Sequence, residues 1–313
     1  MGLGLAIASD GVRACKAVPG WKGLRLRWFG AAPLPGGLIS ASPLEENIAS
    51  VGRFRRYLTG VFRCSWFSRR VQVGLPDNSV RVRLLFADEL PPDPVACRKY
   101  LLWRLADVMD FKPERSRLAY VAMESPLRGP RHAILCAVSA NKVIQQYERV
   151  FAESRVQCRG IAPSSVLLFN LFHRQLMGPP GPPVLLLDAT EEALTTIMTV
   201  EGCPIFWRSH ALAAPQHRSH GLGNWNGRRG QLLQDICEAI MYGDATLGLD
   251  PPTHLLVTGP LAEECAFPDW LAAQLGVPVE RLDAGRLVRH APRRLRQYGW
   301  QRWGVALGAA ARE

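Results

Sequence analysis

At residues 178–183 the chain reads Gly-Pro-Pro-Gly-Pro-Pro. A helix or central strand cannot run through such a segment, because each proline lacks a backbone donor and fixes φ. It therefore acts as a linker and divides the 313 residues into a first unit, 1–177, and a second, 184–313. Each is long enough to bury a core.

Both halves open on the same plan. In the first, the apolar run Leu3–Ala8 leads through Ser9-Asp10-Gly11 into Val12–Val18, and Leu24–Trp28 alternates as a third strand. A helix is expected over Ile48–Phe62. Strands are expected over Val71–Leu75, Val80–Phe86, Leu118–Met123 and Ala133–Val138, and helices over Pro94–Val108, Asn141–Ser154 and Pro163–Leu176. In the second half, strands at Val184–Asp188, Ala193–Val200 and Pro204–Arg208 precede a polar stretch, 211–229, that reads as a long loop. Helices over Leu232–Leu247, Glu263–Leu275 and Gln301–Ala311 follow, with a strand at His254–Thr258. Strand–turn–strand–turn–strand and then helix, stated twice, points to a duplicated α/β unit.

Composition limits the function classes. No apolar run reaches the roughly 18 residues of a membrane helix, and the apolar start has no basic leader, so a cytosolic protein is expected. The eight cysteines are scattered without a CxxC pair, which reads as reduced thiols rather than a disulfide or zinc framework. The net charge of +11 comes mostly from arginine, bunched at 53, 55 and 56, at 69 and 70, at 81 and 83, and from 286 onward. Such an excess suits nucleic acid, an anionic membrane surface or an acidic partner. No nucleic-acid-binding motif accompanies it, so nucleic acid is the weakest of the three.

The middle of the chain carries a more specific signal. The segment 73–91 reads VGLPDNSVRVRLLFADELP, and the helix Lys99-Tyr-Leu-Leu-Trp-Arg-Leu-Ala-Asp107 follows. Next come Tyr120, the strand Ala133–Val138, the pair Tyr147-Glu148, and the run from Val156 to Asn170 containing Pro163-Ser-Ser. In order and spacing this series resembles the PilM-like family of type IV pilus assembly proteins, within the actin-like ATPase superfamily. The resemblance implies duplicated actin-like (ribonuclease H-like) domains, with a small α/β subdomain, 70–160, inserted in the first.

An actin-like nucleotide site needs two hairpin turns whose glycines let backbone N–H groups approach phosphate, with carboxylates nearby to organise a metal ion. The family's first hairpin reads Leu-Asp-Ile-Gly-Ser. Here it is Leu5-Ala6-Ile7-Ala8-Ser9, so acid and glycine are both replaced by alanine. In the second hairpin Asp188 survives, but Thr190 stands at the glycine position. In the family's Thr-Gly-Gly loop, Thr258 and Gly259 survive and Pro260 replaces the last glycine. The resemblance thus implies a remnant site of Ser9, Asp188, Thr258 and Gly259, with hydrolysis not expected and no cofactor required; ATP is the one the fold would offer.

His210, His217 and His220 lie in the polar stretch without metal-site spacing, so no metal is expected. The resemblance further implies a scaffold at the inner membrane, held there through partners, with a groove for the cytoplasmic tail of a PilN-like protein. Arg81 and Arg83, two apart on one strand, are the side chains expected to meet that tail. Two other readings are an active actin-like ATPase or sugar-kinase relative, and a GspL-like secretion component, the latter expected to carry a membrane helix.

Overall fold

The computed structural model describes residues 2–21, 23–63, 70–106, 112–177, 182–212, 229–263, 266–289 and 299–311. The elements in chain order are β1 (Gly2–Ala8), β2 (Gly11–Gly20), β3 (Gly23–Pro33), α1 (Val51–Val61), β4 (Arg70–Leu75), β5 (Arg81–Ala87), α2 (Pro94–Ala106), β6 (Ser116–Glu124) and β7 (His132–Ala140). Then come α3 (Asn141–Glu153), β8 (Gln157–Pro163), α4 (Ser164–Leu171), α5 (His173–Leu176), β9 (Val184–Ala189), β10 (Ala193–Val200), β11 (Cys203–Ala211) and α6 (Arg229–Leu247). The described chain closes with β12 (Leu255–Thr258), α7 (Ala266–Leu275), β13 (Val279–Arg281), β14 (Val288–Arg289) and α8 (Gly304–Ala311).

Two sheets carry the molecule. The first has the order β14-β3-β2-β1-β4-β8 and the second β11-β10-β9-β12-β13. Each is built on an antiparallel meander whose first strand has a parallel neighbour on its other side, β4 beside β1 and β12 beside β9. That shared plan is the duplication expected from the sequence.

The first strand shows how its sequence is used. Leu3, Leu5 and Ile7 enter one core with Phe54, Phe62, Tyr147 and Phe151 from α1, α3 and the turn after α1. On the opposite face Gly2, Gly4 and Ala6 lie beneath α8, whose Ala306, Leu307 and Ala310 join Ala6 in a second core. The alternation of large and small residues sets the spacing: the helix backbone rests directly on the strand.

The third sheet, β5-β7-β6, stands apart with α2 packed on it through Cys97, Leu101 and Leu105. This corrects the bounds of the insertion. It covers about 81–140, whereas β4 and β8, within the expected 70–160, are strands of the first sheet, and α3 packs on that sheet's core. The second unit also differs from 184–313, because β14 adds to the first sheet and α8 packs on β1.

Other differences are local. The helix expected over Pro163–Leu176 is two helices broken at Phe172. Strands β8, β13 and β14 were not expected: β8 is a half-exposed edge with weak alternation, and the other two have three and two residues. Most of the linker (178–181) and of the polar stretch (213–228) lies outside the described residues. Among the described residues no helix is long and apolar enough to cross a membrane.

Candidate functional site

The hairpins β1–β2 and β9–β10 meet across a cleft lined by Ser9, Asp10, Asp77, Asp188, Gly259 and Arg302 among others, around a cavity of about 100 Å³. Three of the four expected residues line it. Thr258 does not: it is fully buried behind the cleft, and its Oγ1 donates to Gln301 Oε1 at 2.9 Å.

Asp188, one residue before the end of β9, has both carboxyl oxygens buried and without a hydrogen-bond partner among the described residues. The Cβ that Gly259 lacks would lie 2.7 Å from its Oδ1 and 2.4 Å from the Ala189 carbonyl, so only glycine, here at φ +92°, fits against the hairpin. Burial first, and then the charge of Asp77, push the Asp188 pKa up to about 8. Asp77 itself is raised by burial, yet three donors hold it: Ser165 N at 3.0 Å, Ser165 Oγ at 2.8 Å and Thr195 Oγ1 at 3.0 Å. The Ser165 donors place Asp77 at the start of α4, where the helix dipole favours an anion. Of the two carboxyls, Asp77 is therefore the ionised one and Asp188 carries the proton near neutral pH.

Side chains tie the two hairpins together. Arg302, just before α8, donates to Asp10 on the first hairpin and, at 3.1 Å, to Glu191 on the second. Arg13 adds two bonds to Asp10, at 3.0 and 2.6 Å, and together the two guanidiniums hold the Asp10 pKa down against the opposing effect of burial. Asn78 Nδ2 donates to the Glu192 carbonyl at 3.1 Å. In the second turn, Thr190 Oγ1 accepts from Ala193 N at 2.9 Å and Glu192 N at 3.3 Å.

These contacts occupy the groups a triphosphate would use. The threonine hydroxyl takes the second turn's N–H groups, and Pro260 has none to offer. The cavity is well below the 300 Å³ or so of a small-molecule site. Five carboxyl side chains line the cleft (Asp10, Asp77, Asp188, Glu191 and Glu192); Arg302 already bridges Asp10 and Glu191, and Arg13 is held by Asp10.

A second concavity lies between the inserted subdomain and the first domain. Strands β6 and β8 are edges of their sheets, and with α2, β7 and α3 they enclose a groove of about 470 Å³. Arg98, Arg117 and Arg159 line it beside Leu118, Ile144 and Ile161. Arg98 donates to the Leu118 carbonyl at 3.0 Å, and Arg117 pairs with Glu148 at 3.4 Å. Arg81 and Arg83 are not in this groove. They lie on β5, which runs beside β11; Arg83 is half-buried, its pKa lowered by burial and then by the charges of Arg81 and Arg208. Arg81 and Arg83, expected to meet a partner, thus lie on a different face from this groove and its arginines.

His210 bonds the Asp235 carboxylate at 3.0 Å, while His217 and His220 lie outside the described residues. No group of metal-binding side chains occurs among the described residues.

No protein-family profile matches the sequence, and no curated protein sequence matches it. Solved structures do match. One described as a "PilM-PilN type IV pilus biogenesis complex" superposes with a TM-score of 0.81 at 16% identity, covering 99% of this chain and 98% of that one. A Bacteroides thetaiotaomicron protein with an actin-like ATPase fold and unknown function gives 0.53 at 11% identity, over 90% of each chain. The chain has the actin-like ATPase fold.

Proposed function

We propose that this protein is a PilM-like scaffold of a type IV pilus or related secretion machine, and that the groove between β6 and β8 takes the extended cytoplasmic tail of a PilN-like membrane protein. The observation that carries the reading is the groove itself: two free sheet edges and three arginines, in a fold shared with a PilM–PilN complex. An extended tail adds to a sheet edge through main-chain hydrogen bonds, and its alternate side chains enter pockets. The arginines favour acidic side chains on that tail.

In a titration of a PilN-like tail peptide, the Arg98→Glu/Arg117→Glu variant should bind more than about tenfold more weakly than the wild type at low salt, where surface charge counts most. Equal affinities, with an unchanged circular dichroism spectrum, would remove the groove from the reading.

The cleft in this reading is structural. Purified protein should release no phosphate from ATP above a buffer control. Millimolar Mg-ATP should leave the melting temperature unmoved, whereas binding at 100 times the dissociation constant would stabilise by about 2.7 kcal/mol. Steady turnover that Asp188→Ala abolishes would mean that the cleft works as an ATPase.

A further inference from the structure

The pole of the first domain opposite the cleft has a surface that the groove and the cleft leave unexplained. Strand β2 passes the start of β1, since Gly2 pairs with Ala17, and it turns at Trp21 into β3. Trp21 is 96% exposed at the tip of this hairpin. Its described neighbours Pro19 and Gly20 are also exposed and offer it no apolar patch. Behind the tip, Arg25 and Arg27 on β3 are exposed, as are Arg286 and Arg289 on the returning chain.

Arg25 and Arg289 are register partners in the parallel β3–β14 pair, so their side chains leave the same face of the sheet on adjacent strands. Like charges placed so are destabilising unless something opposes them. Among the described residues nothing does: none of these four arginine side chains has an ion pair or a hydrogen bond. The sequence contains no Asp or Glu over residues 11–44 or 284–312, the two stretches that supply this edge.

We propose that this hairpin tip and its arginine edge form a docking face for an anionic lipid bilayer. A lone, fully exposed tryptophan with an apolar ring and a polar N–H suits the headgroup boundary, whereas a protein interface would seat it in a packed aromatic or aliphatic cluster. Arginines held behind it meet the negative surface potential, each strengthening attachment about fivefold. The face binds lipid directly and does not depend on a peptide in the β6–β8 groove, so the two readings stand or fall separately.

The test is co-sedimentation of the whole protein, without any peptide, with phosphatidylcholine vesicles containing roughly a third phosphatidylglycerol, at about 0.1 M salt, against phosphatidylcholine alone. The wild type should sediment with the anionic vesicles only, and high salt should release it. Arg25→Glu/Arg289→Glu should lower the partition coefficient at least about twentyfold, from two contributions of about fivefold each. Trp21→Ser, which touches no packed residue and serves if the double variant fails to fold, should lower it roughly tenfold. Equal binding to neutral vesicles, no binding of the wild type to anionic ones, or undiminished binding by the folded variants would overturn the proposal. Retention of duplex DNA without vesicle binding would assign the face to nucleic acid and overturn it as well.

Discussion

Asp188→Asn is expected to make the protein more stable above neutral pH, by an amount on the order of 5 kcal/mol at pH 8.5. In the folded chain the Asp188 carboxyl titrates at about 8, and its ordinary value is 3.8. Between those values the unfolded chain binds fewer protons than the folded one, so stability falls as pH rises and levels off above about 8. Each unit of difference corresponds to about 1.4 kcal/mol. Asparagine has nearly the shape of the protonated acid and does not titrate. The two proteins should therefore match at or below about pH 4 and diverge as pH rises through the range above it, in urea unfolding measured at both ends. Parallel pH profiles would mean that Asp188 is ionised and satisfied in the native cleft. The same substitution in a working nucleotide site would be expected to abolish turnover, so the two measurements together report what the cleft is for.

Gly4→Val should cost at least about 4 kcal/mol. A Cβ at Gly4 would sit 2.0 Å from the Ala306 carbonyl and 2.6 Å from Ala310 N. Those are backbone atoms of α8, and no rotamer change moves them away. The helix would have to lift off β1, re-exposing Leu307 and the alanines Ala306, Ala309 and Ala310 that it buries. Leucine alone accounts for about 2 to 3 kcal/mol of that, and each alanine methyl for somewhat under 1. The contrasting change is Gly52→Ala on α1, where nothing lies within 4 Å of the added methyl; it should stabilise by about 0.5 to 1 kcal/mol. If Gly4→Val unfolded within 1 kcal/mol of the wild type, α8 would not be held on β1 as described.

The small residues of the first strand illustrate how sequence and structure divide the information. Ala6 and Ala8 read in the sequence as losses from a phosphate-binding turn. In the structure Ala6 shares a core with α8, and Gly2 and Gly4 are the sites where only hydrogen fits. The pattern Gly-Leu-Gly-Leu-Ala-Ile-Ala told that the strand is buried on both faces, but not that one face carries a helix from the far end of the chain. Asp77 shows the same limit. Pro76-Asp77-Asn78 reads as a turn, and a turn is there, yet the carboxylate also caps α4 and sets the proton on Asp188.

What the sequence by itself determined is local and periodic: strands from alternation, helices from their apolar faces, and the ordered series of motifs that pointed to the fold. Each depends on residues within one or two turns of one another, where side-chain direction follows from backbone geometry. What only the tertiary structure decided is which distant segments share a site. The Arg302 bridge joins residues 292 and 111 positions apart. The groove pairs an edge of the inserted sheet with an edge of the first, and Arg25 meets Arg289 because β14 returns to β3. Sheet order arises from the packing of whole layers, and no period in a single strand records which neighbour it will have.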